Sequence, residues 1–330
     1  MAALLLLASA ISALAEPKPR MAALDHAIEA LVPFRNTAFP YEGIDPETGT
    51  PFLDVSQDGR RGHASARAGG IYWLDSTYSD NRVLLALPAG FDLARPAVLV
   101  VFLHGNNATL ENDVVGRQQV LAQLSDSGIN GALIAPQLAV NALDSSAGRF
   151  WAPKTFGHFV SEATEHLADF YKDASAAHAS FSKLPVVIVA YSGGYDPAAY
   201  ALTVGGAGKR VVGVILLDAA FGQTDKFVDW VARNRRHAFF FSAFTDASAA
   251  GNAAIEAGLS TQHVNFAEEV PQTLVPGLVR IVSVEGAGHD DFVTHAWVDQ
   301  PLAWLLARIP GFARHAPSPA KQVPKPRSSN

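Results

Sequence analysis

Short unbroken runs of apolar residues alternate with stretches whose apolar positions recur every three to four residues, and from Ala97 onward the alternation is regular. The runs are AVLVVFLHG (97–105), GALIAPQ (131–137), VVIVA (186–190), VVGVILLDAA (211–220), AFFFSAFTD (238–246) and LVRIVSVEG (278–286). They lack the alternating polar positions of a half-exposed strand, which suits strands covered on both faces of a parallel sheet. Between them, QVLAQLSDSG (119–128), FVSEATEHLADFYKDA (159–174), segments near 224–234 and 249–258, and a closing stretch from Phe292 to Arg308 read as helices. In the second of these, Phe159, Ala163, Leu167, Phe170 and Tyr171 share one face. Strands separated by helices predict right-handed crossovers, hence an α/β chain with a mostly parallel central sheet and helices on both faces. Upstream, Arg82 to Leu87 predicts a strand closed by Pro88 and Gly90. LDHAIEALV (24–32) carries helical spacing, whereas 40–70, rich in Pro, Gly, Asp and Arg, reads as extended surface loop.

The two ends depart from this pattern. Residues 1–15, MAALLLLASAISALA, form an apolar core with small residues at Ala13 and Ala15 before Glu16, which predicts a secretory leader cleaved after Ala15 and a secreted or periplasmic product. No Lys or Arg precedes that core. Residues 313–330 are proline-rich and basic, and read as a disordered tail. Between the ends lie an N-terminal extension, 16–70, and one domain, 71–312, with no internal repeat and no linker. No other apolar stretch approaches the roughly 20 residues of a membrane helix, so no membrane span is expected. The net charge of −6, with no basic patch interleaved with aromatics, argues against nucleic acid as a partner. The absence of cysteine excludes disulfides, thiolate chemistry and Cys-based metal sites.

Candidate chemistry centres on VVIVAYSGG (186–194) and the YDPAAYALTV that follows: an apolar strand, a sharp turn, then a helix of small residues. Such a turn lifts Ser192 above the sheet edge at a helix N-terminus, where negative charge is favoured. With Ala190 and Gly194 around it, Ser192 resembles the nucleophile elbow of the α/β-hydrolase family, alanine replacing the usual first glycine. The resemblance implies the α/β-hydrolase fold and a base on the loop after the last strand, where His289 sits in GAGHDDF. A metal reading of His289, Asp290 and Asp291 lacks a second histidine at ligand spacing. Two carboxylates are candidates for the acid that orients the base. Asp246, just past the run ending at Phe244, is the family's usual position and is preferred; Asp218, which ends the preceding run, is the alternative.

Two backbone N–H groups must face the developing oxyanion, and the resemblance places them on Gly193 and on Asn106 of the His104-Gly105-Asn106 turn, with His104 itself structural. Phe150 and Trp151, with Phe156, are expected to wall the acyl or alcohol pocket. The implied activity is hydrolysis of a small-molecule or polymeric carboxylic ester through an acyl-enzyme, with no cofactor and no metal. Peptidase or amidase activity with the same residues, and a non-catalytic binding protein on the same fold, are the alternatives.

Overall fold

The computed structural model describes residues 23–65 and 67–314. The expected leader and the tail beyond Arg314 lie outside the described residues. In chain order the strands are β1 (Ile28–Pro33), β2 (Val55–Gln57), β3 (Arg60–Ser65), β4 (Gly70–Trp73), β5 (Arg82–Leu87) and β6 (Val98–Leu103). They continue with β7 (Gly131–Pro136), β8 (Val186–Tyr191), β9 (Val211–Leu217), β10 (Phe239–Phe244) and β11 (Val279–Ser283). The α-helices are α1 (Leu74–Thr77), α2 (Val120–Asp126), α3 (Thr155–Ala168), α4 (Ala174–Phe181), α5 (Tyr195–Thr203), α6 (Thr224–Asn234), α7 (Ala249–Thr261) and α8 (Pro301–Leu306).

Eight strands pair in the order β1-β5-β7-β6-β8-β9-β10-β11, and β2-β3-β4 form a separate antiparallel sheet. From β7 to β11 every pairing in the large sheet is parallel; β5 against β7 and β1 against β5 are antiparallel. That strand order and mixture of directions is the α/β-hydrolase fold. Side chains of each central strand divide between two cores: Val186, Ile188 and Ala190 of β8 enter one, Val187, Val189 and Tyr191 the other. Burial on both faces explains the unbroken apolar runs.

Three departures from the sequence pattern have local causes. The helical spacing at 24–32 gives a strand instead: β1 alternates half-buried and exposed positions along β5 and closes the sheet edge. Six residues satisfy both periods, and the open ladder of β5 decides between them. Part of the predicted surface loop of 40–70 forms β2, β3 and the start of β4, so the extension is folded against the domain. The expected closing helix is interrupted. Gln300 stands at φ 56°, outside the right-handed helical region that a following proline disfavours, and Pro301 starts α8 as its first residue. Likewise 159–174 spans two helices, because the Asp173 side chain accepts the Ala176 N–H and caps α4. At the other end, Ala313 bridges Ile129 and the Arg314 N–H donates to the Gly128 carbonyl, so both are paired to the domain.

Candidate active site

In open α/β sheets the functional crevice lies outside the carboxyl ends of the strands, where neighbouring crossovers leave in opposite directions. Here that point falls between β6 and β8, since β6 leads outward to β7 and β8 leads to β9 on the other side. β6 runs into His104-Gly105-Asn106, β8 into Ser192, β9 into Asp218, β10 into Thr245, and the loop after β11 brings in His289.

Ser192 has φ 50°, a left-handed backbone that a non-glycine residue adopts only when its surroundings enforce it. The neighbours leave no room for larger residues. A Cβ on Gly194 would lie 2.3 Å from the Leu103 carbonyl oxygen, and one on Gly105 would lie 2.8 Å from the Ser192 Cβ. The turn from β8 into α5 is thus pressed directly against the turn after β6. His104, fully buried beneath them, fixes that second turn. Its Nε2 accepts the Leu138 N–H at 2.9 Å, so the proton resides on Nδ1 and is donated to the Gly105 carbonyl at 2.7 Å. Burial pushes the His104 pKa down and keeps the ring neutral.

His289 Nε2 lies 2.7 Å from Ser192 Oγ, and His289 Nδ1 lies 2.6 Å from Asp218 Oδ2. The hydrogen-bonded chain therefore runs Ser192–His289–Asp218. The Asp218 side chain is 0 % exposed. Burial alone would raise its pKa, but hydrogen bonds from His289, Ser248 and Thr245 outweigh burial and hold it below the ordinary carboxylate range. Thr245 contributes its N–H at 3.0 Å and its hydroxyl at 2.8 Å; the Ser248 hydroxyl also donates. Asp246, the preferred position from sequence, is exposed at the start of a single helical turn, and its carboxylate makes no hydrogen bond to His289. The segment after β10 supplies donors to the Asp218 carboxylate, and that carboxylate, bonded to His289, comes from the end of β9.

Asn106 and Gly193 both line a cleft of about 520 Å³ into which Ser192 and His289 open. Phe150 and Trp151 do not line it. Phe150 packs in the core against Phe156 and Phe159, while the Trp151 indole N–H donates to Asp196 at 3.0 Å beneath an adjoining groove. An aromatic-rich loop after a strand serves here as a core anchor.

The aromatic side chains that do reach the cleft are Tyr191, Tyr195 and Phe221. Tyr191 stacks on the His289 ring, with centroids 5.3 Å apart and planes 25° apart, while Phe221 meets that ring edge-on at 5.7 Å. The Tyr191 hydroxyl donates to Asp290 Oδ1 at 3.2 Å and approaches the His289 carbonyl at 3.3 Å. The imidazole is thus held on two sides as well as at both nitrogens. A tyrosine ending an otherwise aliphatic run, one residue before Ser192, was the available sequence signal for Tyr191. Two arginines, Arg67 and Arg117, also line the cleft, and their spacing in sequence gives no hint of it. Among the described residues no three His, Asp or Glu side chains gather where they could hold a metal ion, and no helix is long and apolar enough to cross a membrane.

No protein-family profile matches this chain, and no curated protein matches it. Among solved structures, a mutant feruloyl esterase module from Clostridium thermocellum complexed with sinapinate aligns over 92% of this chain and 100% of its own, at 11% identity and TM-score 0.43. An S-formylglutathione hydrolase from Agrobacterium tumefaciens aligns over 72% of this chain and 92% of its own, at 12% identity and TM-score 0.39. An IroE-like serine hydrolase from Shewanella oneidensis aligns over 74% and 75%, at 15% identity and TM-score 0.37. At such values these likenesses carry no argument about chemistry, and the fold rests on the strand order itself.

Proposed function

We propose that the protein is an exported serine hydrolase that cleaves carboxylic esters through an acyl-enzyme on Ser192. In this reading Ser192 Oγ attacks the acyl carbonyl while His289 Nε2 takes its proton. The backbone N–H groups of Gly193 and Asn106 receive the developing oxyanion. His289 then gives its proton to the leaving alcohol. Water, deprotonated by the same nitrogen, attacks the acyl-enzyme and releases the carboxylic acid and free Ser192. Asp218 keeps the Nδ1 proton of His289 in place and balances the positive ring formed at each transfer. The apolar leader and its small residues before Glu16 support export.

The observation that carries this reading is the continuous hydrogen-bonded chain from Ser192 Oγ through His289 to the dry carboxylate of Asp218. Turnover of p-nitrophenyl acyl esters of increasing chain length, run beside Ser192→Ala, tests it. The expected result is hydrolysis by the native chain and a loss of about 10⁴-fold or more in the variant. Equal rates in both proteins would remove Ser192 from the mechanism.

A further inference from the structure

Two arginines line the cleft above Ser192, although the chain as a whole carries a net charge of −6. Arg67 reaches it from the turn between β3 and β4, and Arg117 from a wide helical turn, Leu110–Arg117, that follows the β6 loop. The two cations therefore stand on separate segments. Asp290 is the one carboxylate among the lining residues, and its Oδ1 accepts the Tyr191 hydroxyl. Arg117 is anchored through its Nε to Asp113 Oδ1 at 3.2 Å. Among the described residues no carboxylate comes within ion-pair reach of Arg67. The adjoining groove, which Arg67 also lines, contains Asp45, Glu47, Asp144 and Asp196. Each of these accepts hydrogen bonds from other donors: Asp45 from the Glu47 N–H, Glu47 from Gln223, Asp144 from Tyr78 and Ser146, and Asp196 from Ala147, Trp151 and Gln223.

A guanidinium presents paired donors that match the two oxygens of a carboxylate. An arginine lining a cleft, without a carboxylate partner among the described residues of a chain with excess acid, has a binding capacity that those residues do not use. We propose that Arg67 and Arg117 select esters carrying an anionic group, a carboxylate in the first instance, and hold that group while Ser192 attacks the ester carbonyl. This rests on the serine-hydrolase reading above and adds the substrate class.

The test compares two matched pairs of esters: mono-p-nitrophenyl adipate against p-nitrophenyl hexanoate, and 3-acetoxybenzoate against phenyl acetate. The pairs place the anion on the acyl and on the alcohol side respectively. For the native chain, kcat/KM should favour the anionic member of at least one pair by about 10-fold, and the preference should shrink as salt is raised. Arg67→Gln and Arg117→Gln should each reduce that ratio several-fold, and together bring it near one. Because each ratio is taken within one protein, a general loss of activity or of folded protein cancels. No preference in either pair, or a preference that survives both substitutions, overturns the proposal while leaving ester hydrolysis standing. No turnover of any of the four esters, with no labelling of Ser192 by a fluorophosphonate, overturns the hydrolase reading and this one with it.

Discussion

Asp218 owes its position to backbone as much as to charge. It follows β9 at φ 44°, a left-handed conformation that aspartate tolerates, and its N–H is tied to the Ala243 carbonyl of β10. The carboxylate is thereby turned inward, where Thr245, Ser248 and His289 converge on its two oxygens. If it orients His289, Asp218→Asn should lower kcat by about 10³ to 10⁴-fold, because an amide cannot hold the same tautomer of the ring. Asp246→Asn, at an exposed position, should change kcat by less than about 2-fold. Steady-state ester hydrolysis by both variants decides the matter, and the reverse pattern would return the role to Asp246. The choice was not readable from sequence, because both residues follow strands that end at the same sheet edge. Two hydroxyl residues, Thr245 and Ser248, bracket Asp246. They are donors without an obvious local acceptor, and they were the trace of a carboxylate arriving from elsewhere.

Among the elements, legibility followed environment. The central strands were evident because a strand covered on both faces can be built only from apolar residues, and the large sheet has few exposed positions between β6 and β10. β1 was not, because with one exposed face its six residues fit either period, and its partner β5 lies about fifty residues away. The order of Ser192 and His289 could be read along the chain; the rings of Tyr191 and Phe221 around His289 could not, because they meet only once the strand ends are assembled. The contact between the turns after β6 and β8 yields a prediction at this scale. In Gly105→Ala the new methyl would meet the Ser192 Cβ at 2.8 Å and the Tyr191 ring at 3.0 Å, so one turn must move. If Ser192 is the nucleophile and the Asn106 N–H an oxyanion donor, displacing either by a fraction of an ångström should cost about 10 to 100-fold in kcat. Overpacking should add about 1–3 kcal/mol of destabilisation. Ester turnover and urea unfolding of the one variant measure both, and an unchanged kcat would show that the turns are not rigidly coupled.

At the scale of the whole molecule, Asp196 joins parts of the chain that are far apart in sequence. It lies in the first turn of α5, just past Ser192, and accepts the Ala147 N–H and the Trp151 indole N–H on Oδ2 and the Gln223 amide on Oδ1. Gln223 in turn donates to Glu47 of the N-terminal extension. One buried carboxylate therefore ties the loop before α3, the helix that follows Ser192, the start of α6 and the extension together. Burial pushes its pKa up to about 7, with the Glu47 charge adding to the rise and the three donors opposing it. In the unfolded chain the same group titrates near its ordinary value of about 3.9. Between about pH 4 and pH 7 the folded state thus holds a proton that the unfolded chain has lost, and stability falls as pH rises through that window. A shift of about three units sets the full change on the order of 4 kcal/mol. Asp196→Asn carries no titrating group, keeps an oxygen for Ala147 and Trp151, and can meet Gln223 after rotation of its amide. Relative to the native chain, the variant should gain stability steadily from pH 4 to pH 7, read as the difference between their urea midpoints at each pH. A difference that stays constant over that range would mean that Asp196 titrates alike in the folded and unfolded chain, and that the junction holds an ionised carboxylate without penalty.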